Sequence, residues 1–309
     1  MKNFIGYKKI IDGFFRRVDN GTLSHAHLIY GPDGIGKSLL ARIFSLKILG
    51  KTVDVDYVDI INYRAKKSSI GVDEVRDIIE EISKKPYEGD KKVVIIHEGN
   101  KLTTQAQNAL LKTIEEPPIG VYIIILTESL EVLLDTIKSR CQIYKLTPLS
   151  NEDMIKYIQR LGEFSEEKFR AALAYSEGIP GRAERLLKDD SLAELRDILI
   201  KLLLSLGSSG VDELISFESK LLDYKADKEE VLNLLSLFIR DIIVYKELED
   251  KEMIINIDKY TYIEEIAKSL SYKKLNSILK YIEEGRVNLI SNGSYSLVIS
   301  SMIMDLLEV

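Results

Sequence analysis

The chain has 309 residues, 45% apolar and 30% charged, enough for two or three packed domains of roughly 100–150 residues each. Its net charge of −6 argues against a freestanding basic module that grips nucleic acid alone, because phosphate neutralisation needs clustered Lys and Arg. A single cysteine, Cys141, excludes an internal disulfide framework and a cysteine-built zinc site.

No segment reads as a secretory leader, and no apolar run approaches the roughly 20 residues of a membrane span. The expected compartment is the cytoplasm, with no membrane partner.

Up to about residue 148 short β-rich runs alternate with helical stretches. Ala26-His27-Leu28-Ile29-Tyr30 reads as a buried strand feeding a glycine loop. Further strands are expected over 57–61, 93–96, 122–126 and 143–146. The continuous β-branched runs Val93–Ile96 and Ile123–Ile125 suit strands covered on both faces, as in a parallel sheet between helices. Between them, residues 71–83 place Val72, Val75, Ile79 and Ile82 on one helical face. Thr104-Gln105-Ala106-Gln107 reads as a capping box opening a helix with the stripe Ala106, Ala109, Leu110, Thr113 and Ile114. Pro117-Pro118 stops that helix, since proline lacks the amide and restricts its predecessor. The class is α/β, a doubly wound parallel sheet with helices on both faces.

From Ser150 onward the pattern is helical throughout. Breaks are expected at Leu161-Gly162, at Gly178-Ile179-Pro180-Gly181, at Gly207-Ser208-Ser209-Gly210 and at Gly285. The 207–210 stretch is the best linker, which divides the chain into 1–148, 149–206 and 207–309. The stripe Val231, Leu234, Leu235, Leu237 and Phe238 reads as core, and 211–309 contains no site-like cluster.

Gly31-Pro32-Asp33-Gly34-Ile35-Gly36-Lys37-Ser38 matches G-x-x-x-x-G-K-[ST] in full, directly after a strand and before a helical run. Glycines let backbone amides curl around phosphate oxygens, and the helix N-terminus adds positive potential. Lys37 reaches the terminal phosphates and Ser38 can hold magnesium. The site residues for ATP or ADP are therefore Gly31, Gly34, Gly36, Lys37 and Ser38.

Hydrolysis needs more: an Asp ending a second strand to organise magnesium, then a Glu to activate water. Here Val94-Ile95-Ile96 ends in His97-Glu98. Neutral imidazole is a poor partner for hard, oxygen-seeking magnesium. Glu98 keeps a carboxylate, yet without an organised metal it should be a weak base. The loop reads as built to hold nucleotide, the motor part as degenerate.

Leu23-Ser24-His25-Ala26, Val72-Asp73-Glu74-Val75-Arg76, Gly89–Val94, Gln107 through Pro118 and Ser139-Arg140-Cys141-Gln142 together resemble bacterial clamp-loader subunits of the AAA+ class. The run Gln107-Asn108-Ala109-Leu110-Leu111-Lys112-Thr113-Ile114-Glu115-Glu116-Pro117-Pro118 is the most specific. The resemblance covers roughly the first half of the chain. It implies an AAA+ nucleotide domain (1–148), a small all-α lid (149–206) and an all-α collar (207–309). It further implies a hetero-pentameric ring with tau/gamma and delta subunits, acting on a sliding clamp and primer–template DNA.

Within that family the Arg of Ser-Arg-Cys enters the neighbour's ATP site, which makes Arg140 the expected arginine finger in trans. Thr127 matches a polar residue that senses the γ-phosphate, and reads equally as a strand-end hydroxyl. Arg182 matches a lid arginine that touches nucleotide, and reads equally as a solvated helix-start residue. Many relatives carry four zinc-binding cysteines after the loop helix. Lys47 to Asp59 has none, so neither zinc nor any other structural metal is expected, and magnesium enters only with nucleotide.

His97 favours the delta-prime branch over the hydrolysing tau/gamma branch, as does the lack of a proline-rich or charged C-terminal extension. The alternatives are a tau/gamma-like motor or other AAA+ remodeller, and a helical scaffold with a relic loop. His25, His27 and Cys141 read as packing residues.

Overall fold

A computed structural model describes residues 4–206, 211–291 and 293–307. The chain forms two compact units, Met1–Tyr157 with Gly178–Gly181, and Ile158–Glu177 with Arg182–Val309.

The first unit is built on five parallel strands: β1 (Ala26–Tyr30), β2 (Ile60–Tyr63), β3 (Lys92–Ile96), β4 (Val121–Thr127) and β5 (Gln142–Lys145). Their order is β2-β3-β4-β1-β5, with Ile95 opposite Ile124 and Tyr30 opposite Thr127. Its helices are α1 (Lys8–Asp19), α2 (Lys37–Ile48), α3 (Val72–Ser83), α4 (Thr104–Glu115) and the short α5 (Asp135–Lys138).

Side chains alternate across a strand, and here both sets are apolar because both faces are covered. Leu28, Val94, Ile96, Ile123 and Ile125 pack with Val75, Ile78 and Ile82 of α3 and Ala106, Leu110 and Ile114 of α4. Ile29, Val93, Ile95, Ile124 and Leu126 pack on the other side with Phe14 of α1 and Leu40, Ala41 and Phe44 of α2. Phe14 and Phe44 stack with centroids 3.6 Å apart, and both are fully buried. The doubly wound parallel sheet expected from the β-branched runs is therefore present.

Several local expectations shift. The second strand starts at Ile60 instead of Tyr57, because Ile60 N–H donates to Tyr57 O in a preceding turn. The buried Asp59 carboxylate accepts from the amides of Tyr87 and Glu88. The buried face of α3 runs through Ile78, with Ile79 only partly covered.

The cap of α4 is Thr103, whose hydroxyl accepts from Ala106 N–H at 3.2 Å, so the capping box expected at Thr104–Gln107 does not form. Gln107 instead donates to the carbonyls of Leu102 and Val132 and accepts from Leu134 N–H. It thereby ties α4 to the segment ahead of α5.

The remaining helices are α6 (Asn151–Leu161), α7 (Glu166–Ser176), α8 (Pro180–Lys188), α9 (Asp190–Ser205), α10 (Val211–Leu222), α11 (Lys228–Leu248), α12 (Tyr260–Ser269), α13 (Tyr272–Ile290) and α14 (Tyr295–Leu307). In the second unit Leu195, Leu199, Leu202, Val231, Leu234, Leu235 and Phe238 are buried, while Leu237 is half-buried.

Gly285 is not a break. It lies inside α13, where an added Cβ would stand 3.3 Å from Val298 of α14, so the glycine serves close helix packing. The expected linker, Gly207-Ser208-Ser209-Gly210, lies outside the described residues. Among the described residues no helix is long and apolar enough to cross a membrane.

Candidate functional site

The glycine loop connects β1 to α2 across the C-terminal edge of the sheet. Gly31, Gly34 and Gly36 have φ of +155°, +76° and +105°. The latter two lie in the left-handed region that side chains rarely occupy. At Gly31 an added Cβ would stand 2.6 Å from Leu146 O, and at Gly34 it would stand 3.2 Å from Gly181 Cα. Gly181 N–H donates to Gly34 O at 3.0 Å, so the Gly178–Gly181 segment buttresses the loop from behind.

Gly36 caps α2 without any side-chain bond to the first turn, leaving that turn's amides to an anion. Lys37 Nζ donates to the carbonyls of Gly31 and Pro32 at 2.8 and 2.9 Å. Burial lowers the Lys37 pKa, against the opposing charges of Asp33 and Glu128. A phosphate chain fits this cradle: glycine backbone, uncapped helix start and a lysine ammonium all face one place.

His97 follows β3 and is only 4% exposed. Its Nε2 stands 2.9 Å from Asn62 Oδ1, and its Nδ1 is 3.5 Å from Ser38 Oγ. Burial, with Arg64 adding repulsion, pushes the His97 pKa down to about 4, so the ring is neutral near pH 7. Asn62 Oδ1 can only accept, which places the ring proton on Nε2 and leaves the Nδ1 lone pair toward Ser38.

Glu98 takes a left-handed backbone, φ +55°. Its carboxylate accepts from Lys101 Nζ at 2.5 Å and from Ala65 N–H at 3.2 Å. The bond from Lys101 leads in holding its pKa below the usual carboxylate range. The carboxylate is thus engaged locally. Magnesium does not fit well here: its usual Asp is a neutral imidazole, and the adjacent carboxylate is paired with a lysine.

Thr127 ends β4 fully buried, next to the loop. Its carbonyl accepts from Gly31 N–H at 3.3 Å, and its hydroxyl donates to Ser129 O at 2.9 Å.

Arg140 stands in the turn between α5 and β5. Its Nε donates to Glu115 at the end of α4, and its Nη1 donates to Thr136 O at 2.9 Å and to Ser139 Oγ at 3.2 Å. The guanidinium is about two-fifths exposed, at 39%. Because β5 runs parallel to β1, with His27 opposite Gln142 and Tyr30 opposite Lys145, Arg140 lies at the N-terminal edge of the sheet and the loop at the C-terminal edge. The strand between them spans about 10 Å at roughly 3.3 Å per residue.

Arg182, in α8 of the second unit, pairs with Glu177. Cys141 is partly buried against the α3–α4 core, and burial pushes its thiol up to about 12.

The structure thus brings Gly31, Gly34, Gly36, Lys37, Ser38 and Thr127 together. It places Glu98 beside Lys101 and sets Arg140 apart. The sequence pattern assigns no role to Asn62 or Glu115. A polar residue inside the apolar run Ile60-Ile61-Asn62-Tyr63 was the available signal for Asn62. Glu115 gave none beyond the motif that contains it. Among the described residues, no group of three or more His, Cys, Asp or Glu side chains is placed to hold a metal ion.

Two family models match the chain. Residues 6–150 match the model described as "DNA polymerase III, delta subunit", and residues 193–307 match "DNA polymerase III, delta subunit, C terminal". The chain is similar to the DNA polymerase III subunit delta' of Escherichia coli K12, 32% identical over 69% of this chain and 62% of that protein. It is also similar to the DNA polymerase III subunit gamma of Buchnera aphidicola (Schizaphis graminum), 29% identical over 60% of this chain and 57% of that protein. The match therefore spans about three-fifths of either relative's length. Among solved structures, a DNA polymerase III gamma subunit-related protein from Thermotoga maritima aligns over 96% of this chain and 98% of its own. Its TM-score is 0.57 and its identity 16%, a likeness of fold.

Proposed function

The chain belongs to the DNA polymerase III delta-subunit family, and we propose that within it the chain is a delta-prime-type clamp-loader subunit that lends Arg140 to a neighbour's ATP site. The observation that carries this reading is the placement of Arg140. It is about two-fifths exposed at the sheet edge opposite its own phosphate loop, a position that supports a role at a site on another subunit and not at its own.

Charge spreads over the γ-phosphoryl oxygens in the transition state, and a guanidinium delivered from outside stabilises it, by about 10³–10⁵-fold in well-studied cases. The chain's own hydrolysis is weak or absent. The place of the magnesium carboxylate is held by His97, and Glu98 is paired with Lys101. ATP or ADP binds statically to Gly31, Gly34, Gly36, Lys37 and Ser38, with Thr127 beside the phosphate end.

The partners are tau/gamma and delta subunits in a ring of five, and through them the sliding clamp and primed DNA. One feature favours a second reading, an active tau/gamma-like motor: the phosphate loop is complete.

ATP turnover separates the two. The reconstituted loader is assayed with clamp and primed DNA, using the wild-type chain or Arg140→Ala, beside the chain alone. An inert chain, and a complex that assembles but loses about tenfold or more of its turnover with Arg140→Ala, supports the trans arginine. An isolated chain that hydrolyses ATP, with no effect of Arg140→Ala in the complex, establishes the motor.

A further inference from the structure

We infer that the phosphate loop of this chain takes a nucleotide diphosphate or triphosphate without help from a divalent cation. This rests on the nucleotide reading above and concerns how the same site meets its ligand's charge.

A loop of this kind ordinarily shares the phosphate charge between its lysine, its backbone amides and a magnesium ion, and the ion is itself neutralised by a carboxylate. That carboxylate is missing from its place. His97 carries no negative charge in either protonation state. It is also anchored: Nε2 lies 2.9 Å from Asn62 Oδ1, in a ring only 4% exposed. It cannot swing away to admit a hydrated ion.

The remaining ring nitrogen faces Ser38 Oγ at 3.5 Å, so the hydroxyl that would ligate the metal has a nitrogen acceptor in front of it and no carboxylate. The nearest acidic group on the same strand end, Glu98, spends both oxygens on Lys101 and Ala65 N–H. The groups that would hold the phosphates are the Lys37 ammonium, the uncapped first turn of α2 and the glycine amides. These act on phosphate oxygens directly and need no bridging metal. Asp33 and Glu128, the acidic groups that act on Lys37, do not occupy the place of the missing carboxylate at the end of β3.

ADP binding to the full chain is measured by calorimetry in magnesium and in EDTA, for wild type and His97→Asp. Wild type is expected to bind within about threefold under both conditions, and His97→Asp to gain about tenfold or more from magnesium, as a restored carboxylate would bring. Wild-type binding that tightens about tenfold or more with magnesium overturns the inference while leaving the nucleotide site standing. So does a His97→Asp chain with no gain from magnesium. No ADP binding in either buffer removes the nucleotide reading itself, and the inference with it, without touching the role of Arg140.

Discussion

Arg140 is held by Glu115 across the gap between the β5 turn and the end of α4, through Nε, while Nη1 takes the carbonyl of Thr136. Two of the motifs most specific to this chain, Gln107–Pro118 and Ser139–Gln142, therefore meet in space as a carboxylate and a guanidinium. The pair is half-exposed, at 39% and 44%, so its worth to stability is small, about 0–1 kcal/mol. Its geometric effect is to fix the direction in which a flexible side chain leaves the surface.

Replacing Glu115 by Gln should cost the isolated chain no more than about 1 kcal/mol in urea unfolding. In the reconstituted loader it should lower ATP turnover by about two- to fivefold, well short of Arg140→Ala, because the guanidinium remains and only its aim is loosened. Turnover equal to wild type would show that Glu115 does not position the arginine.

His27 gives the first unit a dependence on pH. It is fully buried beside Phe14 and Tyr144, with Nδ1 3.4 Å from Tyr144 Oη and Nε2 without a hydrogen-bond partner. Burial pushes its pKa down to about 4, with Arg17 and His25 adding repulsion and a hydrogen bond with the Ser24 backbone opposing. An unfolded histidine titrates near 6.5, so between those values the unfolded chain binds more protons and folding loses stability as pH falls. The loss reaches at most about 3 kcal/mol. Full stability is present above about pH 6.5. Urea unfolding at pH 7.5 and pH 5.0 should show a smaller difference for His27→Leu than for wild type. His97, lowered to about 4 as well, contributes the same slope to both proteins. Equal differences would mean that His27 gains its proton without unfolding.

A buried ion pair anchors the second unit. Arg196 of α9 is 4% exposed. It donates to both Asp258 oxygens at 2.9 and 2.8 Å and to Asn256 Oδ1 at 3.0 Å. Asn256 in turn donates to the buried Asp241 of α11, through its backbone and side-chain nitrogens, at 2.8 Å each. Removing one partner strands a buried charge, so Asp258→Ala should destabilise by about 3–5 kcal/mol. Replacing Arg196 and Asp258 together by Met and Leu should cost less than Asp258→Ala alone. Thermal unfolding of the three chains tests this. A double variant weaker than the single one would show that the pair contributes net stability.

The sheet, the phosphate loop and the family resemblance are legible in the order of the amino acids. Val93–Ile96 and Ile123–Ile125 could be buried on both faces only between helices, and Gly31–Ser38 could take its shape only with glycine where φ is positive. These signals are local: each lies within one strand, one loop or one short motif. The capping box at Thr104 and the break at Gly285 failed for the opposite reason. Gln107 is claimed by the backbone around Leu102, Val132 and Leu134, and Gly285 by the approach of Val298.

The chemistry at the end of β3 depends on contacts between distant parts of the chain. His97 was visible in the sequence, but its proton position depends on Asn62, 35 residues away. The distance between Arg140 and its own loop follows from the parallel pairing of β5 with β1. Hydrogen bonds and strand pairings made across long stretches of chain are set by packing, so no periodicity in the sequence announces them.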